Sequence, residues 1–445
     1  MHERIELPVR DRPEATGQEV AAAGTVLYRM WEPIREAVAG GLIPGASAAV
    51  LWRGSRLRYA AGLAVDTPDL TVPVQLDTIY DCASLTKVAV TLPLILMLAG
   101  EGKLGLDDPV AVYFPEFDTA DKREMTIRQL LAHTSGFQAS ADFHTKPWTI
   151  RGIVSHLASQ PLVYKPGAGC IYSDMGYILL GELAAKITGM PLDAAARQLL
   201  FEPLGMGESG YSPPEALRER IAATEYSAEI GGWWRGIVHD ENARAMGGVS
   251  GHAGLFSTAS DLLRYAALWL DGTERQGRMP DPPETLPAGL QGRMPDPPET
   301  LPAGLQGRMP DPPETLPAGL QEHLPDQAEA LPAGRPVQLL PGRMIDEALQ
   351  TQTPPLPEVN RGLGWVLKGD RADITGTLST PRSFGHTGFT GTSLMIDPGR
   401  ELAVVLLTGR VHYGRDRNIG KLRRDLHDAV TEALMTEEAR QLLRN

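Results

Sequence analysis

The sequence predicts a mixed α/β (α+β) fold: an antiparallel sheet built from both ends of the chain, flanked by helices, with an all-helical domain inserted between the two halves. Three observations predict it. Strand-like runs cluster in two places, around 46–64 and 363–410. Between them, from 84 to 270, apolar residues recur mainly at helical spacing. Helical patterns also stand at both ends, at 18–40 and 415–442. One sheet interrupted by a helical insertion accounts for this order.

Taken in order, the first helical pattern stops at "GGLIPG". "ASAAVLWRGSRLRYAAGLA" follows, two β-like runs about "RGS", and reads as a hairpin. Helical patterns occupy 86–100, 126–133, 150–159, 174–188, 193–201 and 259–271. "MIDEALQTQ" reads as a short helix, and "GLGWVLKG", "SFGHTG", "TSLMIDP" and "LAVVLLTGR" read as strands. These assignments give an α/β domain from 17–80 and 341–445, a helical domain over 81–271, and a third segment, 272–340.

That third segment has its own chemistry. "GRMPDPPETLPAGLQ" occurs three times in tandem, at 277–291, 292–306 and 307–321, and a decayed copy, "EHLPDQAEALPAGRP", follows. Proline fixes φ and removes backbone donors, which excludes helix and central strand and leaves an extended, solvated chain. The composition offers no core, so a disordered surface insertion is expected. Its functional alternative is a weak ligand for a proline-recognition domain.

Composition narrows the function classes. The net charge of −13 offers no basic stripe to neutralise phosphates, so no nucleic-acid partner is expected. The longest apolar run, near 88–99, is too short to span a bilayer and is interrupted by Thr91 and Pro93. The first twenty residues carry charges and no apolar h-region, so a cytoplasmic location without membrane association is expected. Two cysteines, Cys82 and Cys170, cannot build a disulfide framework and read as small buried fillers. The ten histidines are scattered, with no H-E-x-x-H and no C-x-x-C, and neither a P-loop nor a dinucleotide fingerprint is present. No metal and no cofactor are expected.

The chemistry concentrates at "CASLTKV". Ser84 and Lys87, three residues apart, share one face if a helix starts there. The first helical turn favours a developing alkoxide, and the same field with burial is expected to lower the lysine's pKa toward that of a base. Alone, the pair reads equally well as a helix-capping serine beside an exposed lysine. Two further groups strengthen it. "YSDMGYILLGELAAKITG" sets Tyr172 two residues before Asp174 at a helix start, and "FGHTGFTGTSLMIDP" sets His386, Thr387 and Gly388 on a strand before a glycine-bearing turn. A G-x-S-x-G elbow is absent, since "GASAA" and "GVSGH" both lack the final glycine.

The ordered trio S-L-T-K, Y-S-D and H-T-G resembles the penicillin-recognising serine hydrolases of the class C β-lactamase type, whose relatives carry S-x-x-K and K-T-G. "LGLDDPVAVYFPEF", "TIRQLLAHTSGF" and "GHAGLFSTASDLLRYAALWLDG" extend the likeness, which covers about 20–271 and 340–440. The resemblance implies a β-lactamase-like fold with the site between the two domains. It implies Ser84 as acylated nucleophile, and Lys87 and Tyr172 sharing the base role. The N–H groups of Ser84 and Phe389 would form an oxyanion hole, and His386, Thr387 and Gly388 the strand beside the substrate. "VHDENARAMGGVSGHAGLF" resembles a loop in a branch that includes muropeptide amidases, which would bring His239 and Glu241 to the pocket. Arg410, at the end of "LLTGR", reads first as an exposed arginine and second as a substrate-binding cation.

Two departures bear on substrate. Many relatives have Y-x-N where this chain has Asp174, and an ionised Asp174 favours protonated Lys87 and shifts the base role to Tyr172. His386 replaces a lysine, which removes a permanent cation. The expected function is hydrolysis of an ester or peptide-like amide, including a muropeptide, through an acyl-enzyme on Ser84. The alternatives are a genuine β-lactamase, or a penicillin-binding scaffold that acylates and stalls.

Overall fold

The computed structural model describes residues 4–6, 27–145, 147–274 and 339–436. The tandem repeats, and with them the expected disordered insertion, lie outside the described residues.

Eight strands form the main sheet, numbered here β1–β8 along the chain: Arg4–Glu6, Gly45–Trp52, Ser55–Asp66, Thr71–Pro73, Val366–Leu367, Phe384–Thr387, Ser393–Asp397 and Leu402–Thr408. Their order across the sheet is β1-β3-β2-β8-β7-β6-β5, with β4 on β3, and every pairing is antiparallel. The joint between the two chain ends is β2 against β8, in register from Ala46↔Thr408 to Trp52↔Leu402. The expected hairpin about "RGS" is β2–β3, turning at Arg53 and Gly54, both at positive φ.

Both faces of the central strands are buried, and side chains alternate between two cores. On β8, Leu402, Val404 and Leu406 join Ala46, Ala48 and Val50 of β2 against the helices Glu32–Ala39 and Gly420–Met435. Trp31 stacks on Tyr59 there, ring centroids 5.1 Å apart. The alternate residues Ala403, Val405 and Leu407 face the larger core, which the helical region fills.

Helices dominate that region, but the expectation of an all-helical insertion is corrected: Gly210–Tyr211 pairs with Leu255–Ser257, and Tyr226–Ser227 with Gly232–Trp233, as short antiparallel strands. Helices span Ile127–Leu131, Ile150–Ser159, Asp174–Thr188 and Ala259–Glu274. The single helix expected over 86–100 is two pieces, a π-helical stretch at Lys87–Thr91 and an α-helix at Leu92–Gly100. Pro93 lacks the N–H that would bond back one turn, and the wider turn just before it absorbs that break. The long helix Asp174–Thr188 packs closely on the loop near residue 251. A Cβ on Gly181 would lie 2.8 Å from the Gly251 Cα, so only glycine allows the approach.

Candidate active site

The strands β5 and β6, the turn before the Lys87 helix and the segment before the Asp174 helix meet at one cleft. Its cavity, about 320 Å³, is lined by Ser84, Tyr172, His386, Thr387, Gly388 and Phe389, and by four arginines, 361, 410, 417 and 423. None of the lining residues is acidic.

Ser84 sits on a strained turn. Ala83 before it holds φ at +45°, a conformation costly without glycine, and buried Asp81 supports it by accepting the Ala83 N–H at 2.8 Å. The other oxygen of Asp81 accepts the His239 N–H at 2.6 Å. Burial pushes the Asp81 carboxyl up, against the pull of these two N–H donors.

Lys87 is fully buried, and its three N–H donors serve four acceptors. These are Ser84 Oγ at 3.0 Å, Asp174 Oδ1 at 2.8 Å, the His252 carbonyl at 3.1 Å and the Tyr172 hydroxyl. Burial pulls the lysine's pKa down, but the charge of Asp174 and the hydrogen bonds outweigh it, and the net shift is upward. The lowering expected from burial and the helix field is therefore corrected. Field and burial act as expected, but a carboxylate at 2.8 Å is the stronger influence. Lys87 is an ammonium at neutral pH. Asp174, Asp240 and His252 bring potential metal-ligand atoms within 4.8 Å of one another, yet the Lys87 ammonium already bonds Asp174 and the residue-252 carbonyl.

Tyr172 stands between two imidazoles, with its ring centroid 4.5 Å from that of His133 and 5.9 Å from that of His386. Burial, then neighbouring cations, hold both histidines well below the ordinary imidazole pKa, so both are neutral. His386 Nδ1 lies 2.9 Å from the Thr387 carbonyl, which can only accept, so Nδ1 carries the proton and Nε2 is bare. His386 thus supplies no cation. His133 Nδ1 accepts the Ser173 N–H at 3.1 Å, which fixes the opposite tautomer.

Phe389 follows Gly388 in the turn after β6. Among the described residues neither the Ser84 N–H nor the Phe389 N–H donates to any group. Two unclaimed backbone donors on one cavity are what an oxyanion hole requires.

Arg410 is not on the surface. It is 5% exposed, with Nε donating to the Phe389 carbonyl at 2.7 Å and Nη1 to the carbonyls of Arg415 and Arg417. The reading of it as an exposed arginine is corrected, because a strand-end position said nothing of the loop that folds over it. His239 does not line the cavity. It is buried behind Phe389, ring centroids 5.7 Å apart, and bonds Glu225 at 3.1 Å. Glu241 pairs with Arg415. Sequence reasoning missed His133, Arg361, Arg423 and Asp81. Only Asp81 lay near a recognised motif, three residues before Ser84; the φ of +59° at His133 is visible only in the structure.

Fold and cleft together define an enzyme, a serine hydrolase. The β-lactamase family model matches residues 33–321 and 330–429, and the chain belongs to that family. A protein of Escherichia coli K12 named "Putative D-alanyl-D-alanine carboxypeptidase" is 29% identical over 395 residues, covering 81% of this chain and 74% of its own. Among solved structures, a class C β-lactamase from Rhodobacter sphaeroides aligns with a TM-score of 0.61 at 19% identity, over 91% of this chain and 99% of its own. A β-lactamase/D-alanine carboxypeptidase from Pseudomonas syringae aligns at 0.63 and 17%, over 92% and 99%. At these identities the two structures speak for the fold.

Proposed function

We propose that the protein hydrolyses an ester or a peptide-like amide through an acyl-enzyme on Ser84. The observation that supports this reading most is the bonded pair of Ser84 Oγ and Lys87 Nζ on a cavity with two unclaimed N–H donors. Ser84 Oγ attacks the substrate carbonyl, and the carbonyl oxygen, now negative, takes the N–H groups of Ser84 and Phe389. Lys87 is already protonated, so the Tyr172 hydroxyl takes the serine proton as it hands its own to the leaving alcohol or amine, a relay that leaves Tyr172 neutral and moves one proton in total. Water then attacks the acyl carbonyl by the same route in reverse. The lysine's charge stays fixed through both steps.

Arg361 is paired with Asp370 at 3.0 Å, but the other three arginines, with no acid among the lining residues, favour an anionic substrate, such as a peptide or muropeptide with a free carboxylate. Asp174 disfavours β-lactams. It adds negative charge at the lysine and, as a carboxylate, has no donor for a substrate carbonyl.

Intact-mass spectrometry with a fluorophosphonate should show one adduct on the wild type and none on Ser84→Ala. An adduct that survives the substitution would remove Ser84 as nucleophile. A panel of aryl esters, D-amino-acid peptides, muropeptides and β-lactams, compared by kcat/KM, then assigns the substrate class. One stoichiometric burst without turnover on every member would favour the stalled, penicillin-binding alternative.

A further inference from the structure

We infer that Arg423 and Thr392 are positioning residues that set the span and direction of the oxyanion hole by gripping the backbone on either side of Phe389. The inference rests on the acyl-transfer reading of Ser84 and assigns two residues to that same site.

In a trans peptide the C=O and the next N–H point in opposite directions, so holding one aims the other. The Phe389 N–H belongs to the peptide whose oxygen is that of Gly388. Arg423, on the helix Gly420–Met435, donates Nη2 to the Gly388 carbonyl and to the Thr392 carbonyl, both at 3.1 Å. The Gly391 N–H reaches the Gly388 oxygen too, at 3.1 Å. A charged donor on the carbonyl fixes the peptide plane and draws electron density from the N–H at its other end.

The Ser84 donor is held in the same manner. Its peptide oxygen, that of Ala83, accepts the Thr86 hydroxyl at 2.7 Å and the Thr86 N–H at 3.0 Å. What remains is the distance between the two donors, which come from segments far apart in sequence. Thr392 Oγ1 donates to the Cys82 carbonyl at 3.0 Å, and Thr390 Oγ1 to the Asp81 carbonyl at 2.7 Å. A Cβ on Gly388 would fall 2.4 Å from the Cys82 oxygen, so the two turns are in direct backbone contact. Two hydroxyls thus lock the nucleophile turn to the Phe389 turn, and Arg423 orients the peptide between them.

Arg423 also lines the cavity, so it could instead act by binding a substrate anion. The test separates the two roles. Arg423→Gln and Thr392→Val are assayed on a neutral aryl acetate and on an aryl ester that carries a carboxylate, after active sites are counted with a fluorophosphonate. Positioning of the hole predicts that kcat falls about 100-fold on both esters, the lower end of the cost of losing an oxyanion donor. KM should hardly move, and affinity for a boronic acid, whose adduct is tetrahedral, should fall in parallel. Thr392→Ser keeps the hydroxyl and should recover most of kcat. A loss confined to the anionic ester, or expressed in KM, would overturn the inference, as would unchanged kcat or a serine variant no better than valine. If Arg423→Gln does not fold, the threonine pair alone decides. A wild type that takes no fluorophosphonate refutes the acyl-transfer reading instead, a separate result.

Discussion

Lys87 and Asp174 set the chemistry of the cleft at the scale of single residues. A lysine in a dry interior would ordinarily shed its proton, yet Asp174 at 2.8 Å keeps it charged. Asp174→Asn removes that charge at nearly constant volume, so burial should then dominate and lower the lysine's pKa. The amide also restores a donor for a substrate carbonyl. The variant is therefore expected to raise the ratio of kcat/KM for a chromogenic cephalosporin to that for an aryl ester. A wild type that turns over the cephalosporin briskly, and a variant that loses it, would make Asp174 a working part of a β-lactamase. Lys87→Ala should lower turnover by about 10²–10³, the span usual for loss of one preorganised electrostatic contact.

At the scale of elements, close backbone contact decides how the helical region meets the nucleophile. Gly181 lies in the helix Asp174–Thr188, where replacement by alanine ordinarily stabilises by about 0.5–1 kcal/mol. Here the new methyl would meet the Gly251 backbone at 2.8–2.9 Å. The sign should reverse, and Gly181→Ala should cost about 1–3 kcal/mol as overpacking, read as a lower denaturant midpoint. The helix was legible in the sequence; its contact was not. The same divide runs through the site. Ser84 with Lys87 was legible because three residues within one turn fix proximity, and Tyr172 with Asp174 because the motif resemblance pointed to both. Arg423 approaches Gly388 from 35 residues away, on a helix whose sequence reads only as amphipathic, so nothing local marks it. The sign of the lysine's shift was legible only as a condition on Asp174, and the 2.8 Å contact between two helices meets that condition.

For the molecule as a whole, three neutral buried histidines set how it responds to acid. Burial holds His133 and His386 well below the ordinary value near 6.5, and it brings His427 down to about 4. In the unfolded chain all three would protonate near 6.5. The unfolded state therefore binds more protons below that pH, and stability is lost as pH falls from 6.5 toward the folded values. One unit below 6.5, each histidine costs about 1.4 kcal/mol. Denaturant midpoints measured at pH 7.5, 6.5 and 5.5 should fall slightly over the first interval, a loss of about 1 kcal/mol for the three together, and about three times as far over the second. A flat second interval would mean that the histidines already carry protons in the folded protein.

The pairing of β2 with β8 joins residues 46–52 to residues 402–408. During synthesis the N-terminal hairpin therefore exists for most of the chain's emergence with one long edge open. That edge is apolar on both faces and carries a row of unpaired N–H and C=O groups, the template on which strands of other molecules add. Distant pairing of this kind is also slow, since the intervening loop must close first. A chain stopped before Leu402 cannot shield the edge, and should aggregate rather than persist as a soluble, inactive fragment. The strand that completes the sheet is thus the last safeguard of its solubility as it is made.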